Sequence, residues 1–317
     1  MIRFATLGTS AITERFIDAA RRVDGVEIAV AVSRDGERAR AFADRHGIPG
    51  AGADLAALAD DGSVDAVYIG SPNGAHAAQA HDAIAAGLHV LLEKPATPTA
   101  AEWAQLVAAA AERGVIVFEG MRNVYDPGFA RLRELLPLVG TVRRASFGLC
   151  QRSARYDLVL QGEMPNIFDP ALAGGALYDL GVYPLSAAVD LFGEPDAVSG
   201  SLVALPTGVD GAGTALLDYR GLVVDIAFSK ITASSRPAEV QGELGTLTID
   251  RITDPRTLVF TPLHGEPQEH RISAADNNME YEVARFARLV RGEADAATDT
   301  ARTLAVLRTV ERIRAAG

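Results

Sequence analysis

The amino-acid sequence predicts an α/β fold: a Rossmann-type parallel sheet followed by an α+β domain built on a largely antiparallel sheet. In the first 120 residues, short apolar runs recur at intervals of roughly 20 to 35 residues with helical patterns between them, which indicates parallel βαβ units. Beyond that point, alternating strand patterns are joined by short turns at Tyr219–Leu222 and Gly242–Gly245, which favours hairpins. We therefore predict domains at 1–120 and 121–317, with the C-terminal helix able to pack back on the first.

Composition and charge restrict the class of protein. The 317 residues are long for one core, since a domain commonly spans about 100–200 residues. The net charge of −11 and pI near 5.1 argue against a nucleic-acid partner. No apolar run is long enough for a membrane span, and the single cysteine, Cys150, fits a reducing compartment. We expect a cytoplasmic protein with a small-molecule ligand and no membrane partner.

The chain opens with a strand, a glycine turn and a helix. Residues 2–7 form an apolar run, Gly8 follows, and apolar residues recur at helical spacing from Ile12. This order is typical of a dinucleotide-binding Rossmann unit, where N–H groups at the helix start meet a pyrophosphate. Of the usual G-x-G-x-x-G/A pattern only Gly8 matches, with Ser10 and Thr13 in the other places. The predicted cofactor contacts are Gly8, Thr9, Ser10 and Ile12. The alternative is that one of the two hydroxyls before the helix only caps it.

The end of the second strand, Val26–Val32, predicts which cofactor is preferred. An acidic residue at this position binds the ribose 2′-hydroxyl of NAD, whereas an arginine accommodates the 2′-phosphate of NADP. Ser33 and Arg34 stand here, Asp35 comes one place late, and the next helix carries Arg38. We predict NADP in preference to NAD, with both arginines and Ser33 as contacts. The alternative is that the arginines belong to a solvated helix start.

Three further strands, at 65–70, 90–92 and 115–118, end at the same rim of the parallel sheet. Lys94 follows one of them and precedes a proline, which excludes the helical region and presents its side chain at the sheet edge; the alternative is an ordinary surface lysine. The rim residues predicted to contact the cofactor are Ser71, Pro72, Asn73, His76, Glu93, Lys94 and Arg122. For His76, a loop histidine with satisfied hydrogen bonds is an equal alternative.

The second half of the chain predicts strands and few helices. Strand patterns cover residues 142–149, 198–205, 214–219, 222–229, 238–241, 244–250 and 258–261, and helical patterns cover 127–136, 277–291 and 298–315. Arg155, Tyr156 and Asn166 follow the first of these strands, which suits contacts to substrate hydroxyls. The histidines lack zinc-site spacing, so no metal site is predicted.

A glycine-containing segment, Ala173–Pro184, carries a second set of polar side chains. If it is helical, Asp179 and Tyr183 are four residues apart and share a face. The two glycines allow a close backbone approach, and Pro184 leaves the start of the helix open, since proline is tolerated in the first turn. The alternative is a structural helix in which Asp179 caps or pairs locally.

Glu93-Lys94-Pro95, with Ser71-Pro72-Asn73, His76 and the segment Gly174-Gly-Ala-Leu-Tyr-Asp-Leu-Gly-Val-Tyr183, resembles the Gfo/Idh/MocA oxidoreductase family over nearly the whole chain. The resemblance implies a Rossmann domain, then an open antiparallel sheet whose exposed face forms a homodimer or homotetramer. It also implies a nicotinamide cofactor, substrates that are sugars, polyols or cyclic alcohols, and a catalytic set of Lys94, Asp179 and Tyr183. Tyrosine instead of histidine is similar to the branch of glucose–fructose oxidoreductase and dihydrodiol or xylose dehydrogenases, which often uses NADP.

Physical chemistry suggests a separate task for each of these three side chains. A phenol's ordinary pKa of about 10 is too high for a base at neutral pH, and a neighbouring cation lowers it. Tyr183 is expected to be the general acid/base and Lys94 the cation that also binds the substrate oxygen. Asp179 would orient either the lysine or a substrate hydroxyl. Lys94 as the proton carrier is the alternative.

Two other functions fit the same resemblance. A non-catalytic regulator could bind a nicotinamide cofactor and a sugar, but it would be expected to lose the proton-transfer residues. A nicotinamide-dependent glycosidase of this family usually carries histidine where Tyr183 stands. Both alternatives are therefore less favoured than hydride transfer to or from a carbinol or carbonyl carbon.

Overall fold

The computed structural model describes residues 1–316, which pack as two compact units. One unit consists of Met1–Gly120 with Ala275–Leu304, and the other of Met121–Ala274 with the chain that follows Leu304. The functional boundary at residue 120 stays a prediction, and packing places residues 275–304 in the first unit. Within residues 1–316, no helix is long and apolar enough to cross a membrane.

The elements are as follows in chain order. The strands are β1 (Ile2–Leu7), β2 (Val26–Val32), β3 (Gly50–Gly52), β4 (Ala66–Ile69), β5 (His89–Glu93), β6 (Val117–Gly120), β7 (Val142–Cys150), β8 (Ala197–Ala204), β9 (Asp210–Tyr219), β10 (Leu222–Ser229), β11 (Ala238–Gly242), β12 (Gly245–Ile249), β13 (Thr257–Pro262) and β14 (Gln268–Arg271). The α-helices are α1 (Ala11–Ala20), α2 (Gly36–His46), α3 (Leu55–Asp60), α4 (His76–Ala85), α5 (Ala100–Arg113), α6 (Arg122–Tyr125), α7 (Pro127–Leu135), α8 (Tyr156–Leu160), α9 (Val182–Phe192), α10 (Met279–Val290) and α11 (Ala297–Ala316).

The first unit contains the predicted parallel sheet. Its strand order is β3-β2-β1-β4-β5-β6, and every neighbouring pair is parallel. This is the Rossmann order, in which the chain changes direction between β1 and β4 and ligands bind at the carboxyl ends of the strands. β1 and β2 have the predicted bounds, whereas β6 begins two residues later than expected, at Val117. β3 is a Gly-Ala-Gly strand with no apolar run to indicate it.

Aromatic rings form the centre of the first unit. The ring of Phe16 on α1 stacks on that of Tyr68 on β4, with the centroids 3.7 Å apart. Phe286 of α10 packs against Phe4 of β1 at 5.5 Å. The indole Nε1 of Trp103 donates a hydrogen bond to a carbonyl oxygen of α11 at 3.2 Å. Residues 275–304 are therefore part of the Rossmann core, although they are distant from it in sequence.

The second unit contains an eight-stranded sheet in the order β14-β13-β12-β11-β7-β10-β9-β8. Every neighbouring pair is antiparallel except β7 and β10, which are parallel. The mostly antiparallel open sheet is therefore confirmed. Residues of the π-helical turn Leu177–Gly181 and of α9 pack on one face, where a Cβ on Gly181 would lie 3.1 Å from the ring of Phe228. The other face leaves Leu216 and Val223 exposed.

Candidate active site

Gly8, directly after β1, has a backbone conformation that suits glycine. Its φ is +121°, and a Cβ there would lie 2.9 Å from the carbonyl oxygen of Gly70 at the end of β4. The turn therefore brings the two central strands close together at the point where the strand order reverses. Ser10 stands at the N-cap position of α1, yet its hydroxyl makes no capping hydrogen bond. The alternative that Ser10 only caps the helix is therefore wrong. The two neighbouring predicted contacts, Thr9 and Ile12, are half-buried.

Asp35 begins the helix after β2. Its carboxylate accepts hydrogen bonds from the backbone N–H groups of Glu37 and Arg38 at 3.0 and 3.1 Å. This acidic side chain is thus occupied as a helix cap. Ser33 is buried at the end of the strand, and its hydroxyl accepts a hydrogen bond from the Asp35 N–H at 3.3 Å. Arg38 is exposed on the first turn of α2.

A cavity of about 830 Å³ opens at the carboxyl ends of β1 and β2. Leu7 and Val32 form part of its wall, and Arg34 and Gln79 supply polar groups. The Ser71 hydroxyl donates to the Gln79 side chain at 2.6 Å, so the loop after β4 is tied to α4 beside this cavity. The size lies within the range of small-molecule sites, about 300–1,000 Å³. Pro72 is exposed in the same loop, and Asn73 begins a short 3-10 turn after it.

The backbone around Lys94 is fixed from below by Glu93. The Glu93 carboxylate is buried; it accepts a hydrogen bond from the Tyr68 hydroxyl at 2.8 Å and from the Lys94 N–H at 3.3 Å. Tyr68 belongs to the stacked aromatic core, so the end of β5 is anchored to the centre of the unit. The peptide bond from Lys94 to Pro95 is cis. In the structure, Glu93 therefore supports the loop from the protein interior. The sequence predicts a different role for it, as a direct cofactor contact.

Two more buried side chains hold the loop after Lys94. The ring of His76 is fully buried; its Nδ1 lies 3.0 Å from the Pro95 carbonyl oxygen and its Nε2 2.9 Å from that of Ser71. The Glu119 carboxylate accepts hydrogen bonds from the Ala96 N–H at 2.9 Å and from a threonine hydroxyl of α11 at 2.8 Å. Burial lowers the pKa of His76 and raises that of Glu119. His76 thus matches the loop-histidine alternative.

In the second unit, Asp179 and Tyr183 lie where a π-helical turn passes into an α-helix. Asp179 is in the π turn, and Tyr183 is the second residue of α9. The N-terminus of this segment is held by Asp210, whose carboxylate accepts a hydrogen bond from the Leu177 N–H at 2.6 Å. Gly175, with φ +121°, packs directly against Asp210, where a side chain would clash. Single π turns often mark functional sites.

Arg122 lies beside Tyr183. Its Nε donates a hydrogen bond to the Tyr183 hydroxyl at 3.1 Å, and its guanidinium carbon is 5.4 Å from the centroid of the phenol ring. The side-chain amide of the neighbouring Asn123 donates to the Tyr183 carbonyl oxygen at 3.1 Å. The sequence predicts Arg122 as a cofactor contact; the structure pairs it with the phenol. The two residues are 61 positions apart in sequence, so no local pattern could have indicated the pair.

Asp179 has a partner that the sequence does not indicate. The ammonium of Lys230, just after β10, donates a hydrogen bond to the Asp179 carboxylate. Lys230 is 3% exposed. One signal for it was present in the composition: of the 30 basic residues, only Lys94 and Lys230 are lysines.

The predicted substrate contacts share one stretch of the second unit. Arg155 and Asn166 are exposed, and Tyr156 is half-buried with its ring 6.2 Å from that of Phe168. Their role stays a prediction. Among residues 1–316, no group of three histidine, cysteine or acidic side chains is placed to hold a metal ion.

Comparison with protein families identifies both halves of the chain. Residues 2–121 match the oxidoreductase family with an NAD-binding Rossmann fold, Gfo/Idh/MocA. Residues 131–248 match a Gfo/Idh/MocA C-terminal domain. The chain belongs to the Gfo/Idh/MocA family. As a member, it is a nicotinamide-dependent oxidoreductase that acts on the CH–OH or carbonyl group of a sugar-like compound.

Individual relatives of this Gfo/Idh/MocA protein span most of its length. The scyllo-inositol 2-dehydrogenase (NADP+) of Bacillus subtilis (strain 168) is 40% identical over 291 residues, which cover 92% of this chain and 89% of the relative. The D-xylose 1-dehydrogenase (NADP+) 2 of Haloferax volcanii is 32% identical, covering 98% and 95%. The crystal structure of KijD10, a 3-ketoreductase from Actinomadura kijaniata, in complex with NADP and TDP-benzene superposes with a TM-score of 0.85 at 25% identity, covering 99% and 97%.

Proposed function

We propose that this protein is an NADP-preferring dehydrogenase or reductase of a cyclic polyol or sugar, with Lys94, Asp179 and Tyr183 as its catalytic residues. The observation that carries the proposal is the support of Lys94. Three buried side chains bind the backbone at Lys94, Pro95 and Ala96, directly after β5 of the Rossmann sheet. An exposed loop with an incidental lysine would not need such support. The named relatives that use inositol and xylose favour a ring or sugar hydroxyl as the substrate.

NADP is favoured by the residues after β2. Asp35 caps α2 through one carboxylate oxygen and stands two residues after Ser33, so the first charged side chain after β2 is Arg34, which lines the cavity at the ends of β1 and β2. Both relatives with inositol and xylose activity carry NADP in their names. We expect Arg34→Ala to weaken NADP binding by about 10- to 100-fold, as for the loss of a hydrogen bond to a charged group, and to leave NAD binding nearly unchanged. Equal losses for both cofactors in a fluorescence titration would contradict this assignment.

The proposed chemistry assigns one task to each side chain. The bound nicotinamide supplies the hydride acceptor or donor. In oxidation, the substrate oxygen gives its proton to Tyr183, whose oxygen bears negative charge at lower cost because Arg122 donates a hydrogen bond to it. Lys94 stabilises the charge that develops on the substrate oxygen, and Asp179 accepts a hydrogen bond from a neighbouring substrate hydroxyl. Arg155, Tyr156 and Asn166 remain proposed contacts to more distant hydroxyls.

Three further properties are proposed with this function. The exposed face of the eight-stranded sheet, with Leu216 and Val223, would join copies of the chain into a dimer or tetramer. The location would be the cytoplasm, where the single Cys150 stays reduced. Neither a nucleic acid nor a membrane would be a partner.

An assay of the purified protein tests the function. Oxidation of scyllo-inositol, myo-inositol, D-xylose, D-glucose and a trans-dihydrodiol is followed at the absorbance band of the reduced nicotinamide, with NADP and with NAD. We expect turnover with at least one polyol or sugar, faster with NADP, and a loss of about 10³-fold or more in Lys94→Met and Tyr183→Phe. Wild-type-like rates in both variants would overturn the catalytic assignment.

A further inference from the structure

Lys230 is buried at the end of β10 and its backbone is held on both sides. Its N–H donates to the Gly211 carbonyl oxygen at 2.8 Å, and its carbonyl oxygen accepts from the Ser153 N–H at 2.8 Å. The residue is 3% exposed. The Nζ atom lies 5.6 Å from the centroid of the fully buried Phe168 ring. The start of the side chain is thus fixed by the sheet and its tip is covered by an aromatic ring.

The ion pair with Asp179 is asymmetric. The Lys230 side chain is 4% exposed and that of Asp179 is 35% exposed. A buried ammonium is costly unless a carboxylate or other acceptor compensates it, so the pair strongly favours an ionised Asp179. Because the cation approaches from the protein interior, the accessible part of the carboxylate faces outward. The orientation of the Asp179 carboxylate is thus set by the buried Lys230 ammonium.

The choice of lysine is itself informative. Arginine fills 28 of the 30 basic positions, including those on exposed helices and strands. An ammonium is a compact point charge, whereas a guanidinium is a wide planar fork that would need more room beside the Phe168 ring. The two exceptions are Lys94 and Lys230, and each lies at a residue assigned to the reaction or directly against one.

We propose that Lys230 is a positioning residue for the reaction: its ammonium fixes Asp179 as an ionised acceptor that binds a substrate hydroxyl. The proposal rests on the proposed function, because that function gives Asp179 its role. It also decides between the two tasks that the sequence leaves open for Asp179. A carboxylate already paired with an interior lysine is suited to hold the substrate.

Kinetics of a double-mutant cycle test the proposal. The set is Lys230→Met, Asp179→Asn, the double variant, and Arg143→Met as a control that breaks an exposed ion pair in the same unit. We expect Lys230→Met to lower kcat/KM by about 10- to 100-fold, mainly through KM, with NADP affinity unchanged. The double variant should be no worse than Asp179→Asn alone, because Lys230 acts only through that carboxylate. Arg143→Met should match the wild type.

The outcomes distinguish a failure of the role of Lys230 from a failure of the proposed function. Additive losses in the double variant, or a Lys230→Met enzyme within about twofold of wild type while Asp179→Asn is impaired, would overturn the role of Lys230 alone. A wild-type-like Asp179→Asn would instead contradict the proposed function.

A second measurement does not require Lys230→Met to fold. Protein labelled with ¹⁵N-lysine gives side-chain ammonium signals from two residues only, so each can be assigned with a single variant. In Asp179→Asn the Lys230 signal should shift or broaden more than that of Lys94. A shift confined to Lys94 would show that Asp179 serves the other lysine and would overturn the proposal.

Discussion

At the scale of single residues, the position of Lys94 depends on side chains that never need to touch a ligand. Glu93, His76 and Glu119 are buried and each contacts the backbone between Lys94 and Ala96 or next to it. Locking the backbone in this way fixes the point from which the lysine side chain extends, so only its side-chain torsions remain to be ordered when a substrate binds. Changes to these supports should therefore affect both stability and turnover.

Replacing His76 should reveal a pH-dependent part of the stability. His76→Gln is expected to lower the free energy of unfolding by about 1–3 kcal/mol at neutral pH, because buried carbonyl contacts are lost. Burial lowers the pKa of His76. Its contribution is therefore present above the ordinary histidine pKa of ~6.5 and is lost as the pH falls below that value, where the unfolded chain takes up a proton first.

Urea unfolding of wild type and His76→Gln at a series of pH values measures this effect. The difference between them should shrink from neutral to mildly acid pH. His81→Gln is the matched control, since His81 lies on the same helix with its side chain 68% exposed. A difference that stays constant or grows in acid would contradict the neutral, buried state of His76.

Arg122 should affect the chemical step more than substrate binding. Without its hydrogen bond, negative charge on the Tyr183 oxygen is less stabilised, so Arg122→Met is expected to lower kcat by about 10- to 100-fold with a smaller change in KM. Arg122→Lys keeps the positive charge and should recover part of the loss. Steady-state rates with saturating cofactor give the comparison. An effect confined to KM would place Arg122 in substrate binding instead.

At the scale of elements, the segment from the π turn to α9 is held at its start by a carboxylate from β9. Asp210 takes the place of an N-cap residue, although it is 33 positions away from Leu177 in sequence. Its anchoring of the segment links the stability of this element to the placement of Asp179 and Tyr183.

Removing the Asp210 carboxylate should lower both the stability of this segment and the rate of turnover. Asp210→Ala is expected to cost about 1–2 kcal/mol, the usual loss for a helix cap, and to reduce turnover because the element that carries Asp179 and Tyr183 is no longer held. Asp169→Ala, which removes a cap from a short 3-10 turn in the same unit, is the control for stability alone. Thermal unfolding and turnover are measured on both. Full activity in a destabilised Asp210→Ala would show that the cap is only structural.

The strands and contacts of the second unit show which features could be predicted from the sequence and which could not. The strand at Leu222–Ser229 has the predicted bounds because alternation and a glycine turn mark it locally. β14 escaped prediction because Gln268–Arg271 is entirely polar. The proposed catalytic triplet came from motif resemblance, whereas the pairing of Arg122 with Tyr183 and of Lys230 with Asp179 joins residues 61 and 51 positions apart and is visible only in the structure. Contacts of that kind leave no periodicity in a single sequence.

At the scale of the whole molecule, the open sheet face predicts association between copies. Leu216 is 47% and Val223 42% exposed on neighbouring strands, on the sheet face that the family resemblance assigns to association. Leu216→Arg is expected to shift the mass measured by light scattering toward the monomer. Leu244→Arg, at the β11–β12 turn, is the control because that residue is 60% exposed but lies outside the face. An unchanged mass in Leu216→Arg would exclude this face as the interface.

The outer strands of both sheets affect how crowded molecules behave. β3 has three residues and β14 four, and the charged side chains of Arg271 and Glu269 on β14 pair with each other. These two short margins offer few backbone groups to an incoming strand, whereas β8, at the opposite edge of the second sheet, has eight residues and no charged side chain. We therefore expect edge-to-edge pairing of intact molecules to begin at β8 and not at β3 or β14.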